Sequence, residues 1–301
     1  MASKPFPAPD ITILNSMAGR EFEAALDRHL AWGITRLDLK DFIFGKPVVE
    51  LSDREVEAAS RMIAERKLSV YALSTSLFAQ DVEAGETAFR QGHFGRIARV
   101  LEIAAAFAPT FIRLIAASTE RRRSVADGIR YAAAEAPWLF ELYDEAIDRI
   151  AGAGYTAVIE NETEGCLLSC PREVLDFFAA LQNANRARFT WDVVNMWQAG
   201  TFPSVEAYEA LRPVIGYVHL KGGQCDRPLG PLKWRSPLDE ASWPVRDIVA
   251  RVVSDGVSPV ICLNPPHGEL RPGVSPAGWA ERDITFVRQL LHETVAAGPN
   301  P

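Results

Sequence analysis

Apolar residues in this chain gather into eight short runs, at 11–14, 34–39, 68–74, 111–115, 157–160, 189–192, 217–220 and 260–263, each bounded by polar or turn-forming residues. Runs of this length, without helical spacing, read as buried β-strands. Between them the apolar positions fall three and four apart, as in Phe22, Ala25, Leu26, His29 and Leu30, and again in Val56, Ala59, Met62 and Ile63. That is the stripe of an amphipathic helix. Ser52 with Asp53, Pro171 with Glu173, and Pro203 with Ser204 supply helix start signals, and Gly33, Gly152, Gly154 and Gly256 supply stops shortly before the next strand. Strands that alternate with helices form right-handed parallel βαβ units. Eight such units predict an α/β fold, a single (β/α)8 TIM barrel over residues 1–301 with short flexible N- and C-terminal tails. An open doubly wound sheet is built from the same units, but no Gly-x-Gly-x-x-Gly follows a strand.

A parallel barrel brings together whatever stands at the carboxyl ends of its strands. Four chemically loaded residues stand there: Glu160 in TAVIENE, Asp192 in RFTWDVVN, His219 in IGYVHLKGG and Asn264 in PVICLNPPH. Two carboxylates, an imidazole and an amide carbonyl outline a site for one divalent ion, Mn, Mg or Co, with Zn also compatible. The same face should present Asn15, Lys40, Asp41, Ser74 to Ser76, Arg113, Glu162, Asn195, Lys221 and His267. Of these, Lys40, Arg113 and Asn195, together with Trp197, are the expected substrate contacts.

Composition narrows the partners. With 32 basic and 39 acidic residues and a net charge of -7, the chain has no electrostatic footprint for nucleic acid. No stretch approaches a bilayer-spanning length, and the N-terminal segment lacks the apolar core of a signal peptide, so a cytoplasmic enzyme acting on small solutes is expected. The four cysteines show no Cys-x-x-Cys spacing and read as free thiols. No Walker loop, Gly-x-Ser-x-Gly or His-Glu-x-x-His motif occurs.

The ENE, WDVVN and YVHLKG segments resemble elements of the xylose-isomerase-like sugar isomerase and epimerase barrels, a group that also includes endonuclease IV enzymes. The resemblance covers most of the chain and is most specific in its second half. It implies one divalent ion held by Glu160, Asp192, His219 and a residue of the eighth strand, with glutamates serving as acid and base. Where the family carries a second glutamate, this chain has Asn264. Its carbonyl oxygen is expected to ligate, while the proton passes to Glu162, His267 or Lys221, with Glu160 also in the catalytic set.

The expected activity is therefore isomerisation or epimerisation of a sugar or keto-sugar, by proton abstraction next to a carbonyl through an enediolate. β-Elimination or deglycosylation of a 3-keto-glycoside by a lyase is the alternative, followed by a non-catalytic sugar-binding barrel. A homo-oligomer or a partner subunit that completes the site is left open. Two long connections, 116–137 and 222–243, lie on the catalytic face and are expected to act as lids. The first carries Arg121, Arg122 and Arg123; the second carries Trp234 and Trp243. Phe42 and Phe44 add aromatic area, and Gly222 with Gly223 offers a weak candidate for an anion nest.

Overall fold

The computed structural model describes residues 7–163, 165–264 and 268–297. Ten strands occur in chain order: β1 (Asp10–Thr12), β2 (Arg36–Leu39), β3 (Ser69–Leu73), β4 (Phe111–Ile115), β5 (Thr156–Glu160), β6 (Ala187–Asp192), β7 (Ile215–Leu220), β8 (Gly223–Gln224), β9 (Trp234–Arg235) and β10 (Val260–Leu263). Eight of them form one parallel sheet in the order β1-β10-β7-β6-β5-β4-β3-β2. A parallel bridge between Leu14 and Asp38 joins the two ends of that order, assisted by the Thr12 hydroxyl donating to the Arg36 carbonyl. The fold is a single (β/α)8 barrel. β8 and β9 form a small antiparallel hairpin inside the connection after β7.

Every expected strand is present, and the helix signals act as their chemistry requires. Ser52 accepts from the Glu55 amide while the Glu55 carboxylate accepts from the Ser52 amide, which closes a capping box on Asp53–Glu65. Pro171 opens Pro171–Ala180, and Ser204 caps Val205–Leu211. Gly256 ends Val245–Asp255 in the left-handed conformation that glycine adopts without strain.

The interior alternates with the pleat, so residues two apart on one strand face the barrel axis together. Tyr71, Phe111, Val158, Tyr217, Val260 and Cys262 pack there as an inner core. One step nearer the carboxyl ends the same alternation delivers Arg113, Glu160 and His219. Register then fixes their heights: His219 is level with Asp192 on one side and with Cys262 on the other.

The two long connections are more ordered than their length suggested. The first contains the helix Gly128–Glu135, and within it Arg122 is bound by the buried Glu173 carboxylate at 2.8 Å. Glu173 also accepts from the Gly128 and Ser169 amides, so this arginine belongs to a structural clamp and not to a solvated run. In the second, a Cβ on Gly222 would overlap the Ser236 carbonyl and the Pro237 backbone. Close approach of two backbones, and not an anion nest, accounts for that glycine.

Candidate metal centre and active site

Glu160, Asp192 and His219 converge: one ligand atom from each lies within 4.8 Å of the others, and all three are buried. Asp192 divides its two oxygens between tasks. Oδ1 caps the helix Val193–Gln198 by accepting from the Val194 and Asn195 amides at 3.2 and 3.0 Å, which leaves Oδ2 turned toward the cluster. His219 Nδ1 is 3.0 Å from Glu160 Oε1 and 4.0 Å from Asp192 Oδ2. Metal–ligand bonds of about 2.1 Å place donors at right angles about 3 Å apart and opposed donors about 4.2 Å apart. The triad has those spacings.

A comparison of two buried histidines tests the fit to an ion. His29 places both ring nitrogens within hydrogen-bond distance of backbone carbonyls, Ala25 at 2.7 Å and Ile13 at 3.1 Å. His219, equally buried, makes no hydrogen bond of acceptable geometry through either nitrogen among the described residues, and Asp192 Oδ2 is likewise without one. Their nearest polar neighbours are charged groups, Glu160 Oε1 at 3.0 Å from His219 Nδ1 and Lys221 Nζ at 2.6 Å from Asp192 Oδ2, so the cluster gathers donor atoms around one point in a way that suits a cation.

Protein cations already offset the negative charge. Arg113 on β4 donates from Nη1 to Glu160 Oε2 at 2.5 Å, from Nε to the Thr75 carbonyl at 3.1 Å and from Nη2 to the Ser74 carbonyl at 3.0 Å. Burial opposes ionisation of Glu160, but the Arg113 charge, supported by His219, outweighs it and holds the carboxyl well below the usual carboxylate range. Lys221, two residues beyond His219 on the same face, lies 2.6 Å from Asp192 Oδ2 and donates to Asn195 Oδ1 at 3.0 Å.

Glu162, two residues beyond Glu160, is half-buried. Its Oε2 accepts from the Thr163 amide at 3.3 Å and from Asn195 Nδ2 at 3.4 Å. Burial, then the neighbouring Glu160 charge, pushes this carboxyl up. Two carboxyls, one at the end of β5 and one just beyond it, are thus shifted in opposite directions.

Several of the expected site residues have protein partners. The Asn264 carbonyl oxygen, expected as a ligand, accepts from the Leu14 amide and faces Cys262 Sγ, both at 3.3 Å. The Leu14 N–H requires an acceptor, which sets the orientation of the amide and leaves Nδ2, a donor, as the unpaired buried atom among the described residues. Arg113 and Asn195, expected at the substrate, make hydrogen bonds with Glu160, Lys221, Asn161 and Glu162. Lys40 pairs with Asp41 at 3.6 Å on the rim. Trp243 is buried and donates to the Lys221 carbonyl just beyond β7. The expected base His267 lies outside the described residues.

Three residues escaped the sequence reading. Asp38 lies on the far side of the imidazole, 3.7 Å from Nε2, and accepts from the Tyr217 hydroxyl at 2.9 Å. With Cys262 these atoms form a second close group around His219. Asn161 stitches β5 to β6 by pairing with both backbone groups of Asp192. The period-two alternation that selects His219 and Lys221 also selects Asp38 on β2; Asn161 carries no such signal.

On the carboxyl-end face, a cleft of about 890 Å³ opens between the loops after β4, β5, β6, β7 and β10. Trp197, an expected substrate contact, is in its wall, with its indole N–H bound to the Gly230 carbonyl at 2.9 Å. Phe42 and Phe44, in the loop after β2, are partly exposed and both adopt positive φ, at 59° and 52°.

The fold has many solved counterparts. A xylose isomerase-like TIM barrel protein from Mycobacterium smegmatis, in complex with magnesium, matches with a TM-score of 0.69 over 95% of this chain and 97% of its own, at 14% identity. This chain has the xylose isomerase-like TIM barrel fold. A D-tagatose 3-epimerase-like protein matches at 0.69 over 96% and 97% of the two chains, with 12% identity. The 3-keto-D-glucoside 4-epimerase of E. coli matches at 0.67 over 93% and 99%, also with 12% identity. No protein-family model and no curated protein matches the sequence. At these identities the likeness concerns the fold, and any chemistry has to be argued from the side chains.

Proposed function

We propose that this xylose isomerase-like barrel is a metal-dependent sugar isomerase or epimerase that removes a proton next to the carbonyl of a sugar or keto-sugar. The convergence of Glu160, Asp192 and His219, with the buried imidazole lacking any hydrogen bond among the described residues, carries the proposal. A divalent ion held by those three side chains supplies a Lewis acid for the substrate carbonyl. Arg113 keeps Glu160 ionised and aimed, and Asp192 is braced by its own helix cap and by Asn161.

Glu162 is the base in this reading. Its carboxylate takes the proton from the carbon beside the carbonyl, and the electron pair of that C–H bond passes to the carbonyl oxygen as an enediolate forms. Glu162 delivers the proton to the neighbouring, former carbonyl carbon while the hydroxyl proton passes between the two enediolate oxygens, which completes an isomerisation; an epimerisation would require a second donor on the opposite face of the enediolate. Lys221 places a positive charge among the same side chains, 2.6 Å from Asp192, where it offsets the developing negative charge. Relatives in fold that bear the names of epimerases and of a magnesium complex support the reaction class.

Asn264 favours one second reading. With an amide at the end of β10, one carboxylate is free to carry protons, and β-elimination from a keto-glycoside needs only one: Glu162 takes the proton, the enediolate re-forms the carbonyl as the leaving group departs, and Glu162 protonates that group.

Incubation with ketoses and with 3-keto-glycosides in D₂O, after loading with Mn²⁺ or Mg²⁺, separates the two. Deuterium uptake with the substrate skeleton intact identifies the isomerase or epimerase; release of the aglycone identifies the lyase. Glu162→Gln should lower either rate by two orders of magnitude or more while leaving bound metal unchanged. A Glu162→Gln variant of normal activity would refute the assignment.

A further inference from the structure

We propose that the cleft on the carboxyl-end face binds the aglycone of a keto-glycoside, so that the substrate carries a second ring beyond the sugar processed at Glu160, Asp192 and His219. The inference rests on the reading of the site given above and adds the substrate class. Position is the first argument. The cleft wall begins where the site ends: Thr163, whose amide donates to the Glu162 carboxylate at 3.3 Å, and Cys166, whose Sγ accepts from the Glu162 amide at 3.4 Å, both line it. A sugar with its reacting carbon at Glu162 would thus stand next to residues of the cleft wall.

Size is the second argument. Sites for drug-sized ligands run from roughly 300 to 1,000 Å³, and this cleft, at about 890 Å³, lies near the upper end. A lone monosaccharide fills little of it. The third argument is the chemistry of the lining. Val125, Trp197, Ala199 and Leu232 contribute apolar surface. Of the three cations there, Arg122 is held by Glu173 and Ser169, Lys233 by Asp226, and Arg123 is engaged as well. Glu269 adds a negative charge to the wall. A neutral ring suits this lining better than a phosphate, which would meet paired cations and a carboxylate.

The test uses Ala199→Trp, which places an indole in the cleft from a half-buried position of ordinary helical backbone at the end of Val193–Gln198. Leu232→Asp, a charge on the apolar wall, is the second variant should the first fail to fold. The metal-loaded protein is assayed for solvent deuterium exchange with 3-keto-D-glucose and with 4-nitrophenyl 3-keto-β-D-glucoside, with Tm checked for each variant. The expected result is a loss of tenfold or more in kcat/KM for the aryl glycoside, with the free keto-sugar changed less than twofold. An equal loss for both compounds, or none for either, overturns the proposal. Should the wild type exchange no proton in either compound, the proposed chemistry falls, and the cleft is judged by calorimetric binding alone. Wild-type Kd at least tenfold tighter for the aryl glycoside than for the keto-sugar, with that preference lost in the variants, supports the aglycone site; equal Kd values refute it.

Discussion

Replacing Arg113 by methionine removes a buried cation while keeping most of the volume of its stem. The guanidinium makes three hydrogen bonds, to Glu160 and to the Thr75 and Ser74 carbonyls, and both charged partners are almost fully buried. At an effective dielectric near 20, two opposite charges in contact attract by about 4 kcal/mol or more. Removing one partner of a buried pair leaves the other uncompensated, at a cost of roughly 3–5 kcal/mol. Arg113→Met should therefore lose about that much stability at pH 7 in EDTA, read by urea unfolding through the seven tryptophans. A divalent ion supplies positive charge to the same carboxylate, so saturating Mn²⁺ should recover at least about 1 kcal/mol of the deficit. The pH dependence has a defined sign. In the wild type the Glu160 carboxyl is held below its unfolded value, so its contribution is complete above pH ~4.3 and declines as the pH falls toward the folded value. The gap between variant and wild type should narrow in acid. A variant within about 1 kcal/mol of wild type at pH 7, or a deficit insensitive to Mn²⁺, would refute the reasoning.

Two further outcomes follow from the connection after β7. Asp283, buried on the C-terminal helix Trp279–Ala297, accepts from the Leu238 amide at 2.7 Å, and burial pushes its carboxyl from 3.8 up to about 7. A raised carboxyl stabilises the fold below its unfolded value, and that contribution is lost as pH rises through about 7, so Asp283→Asn should remove a stability loss of at most about 4 kcal/mol between pH 4 and 8; parallel profiles for the two proteins would contradict this. Gly222→Ala forces a methyl into the Ser236 and Pro237 backbone and should cost about 1–3 kcal/mol in urea unfolding, where an unchanged midpoint would show that the loop gives way freely.

The barrel was legible because its signal is periodic. Eight apolar runs separated by helical stripes admit few topologies, and a spacing of two puts His219 and Lys221 on one face at the end of β7. Convergence of Glu160, Asp192 and His219 followed from strand position alone. What could not be read was the choice of partners, which depends on register and side-chain reach across strands. Arg113 binds Glu160 because β4 is level with β5 at Ile115 and Glu160, and Asn264 turns its oxygen to Leu14 because β1 lies beside β10. The sequence points to Lys40 and Asp41 beyond the end of β2, but it is Asp38, inward on the strand itself, that lies against His219. The connection at 116–137 looked like an open lid because its helix is short and its Arg122 clamp is made with Glu173, in a helix far along the chain.

Metal binding tests the central claim most directly. After exhaustive chelation and titration with Mn²⁺, calorimetry and ICP-MS on the wild type should report one ion per chain, and His219→Ala and Asp192→Ala should each reduce affinity at least a hundredfold, with Tm of the metal-free forms showing them folded. A wild type that takes up no ion, or variants of both residues that bind as it does, would contradict a cation site at Glu160, Asp192 and His219.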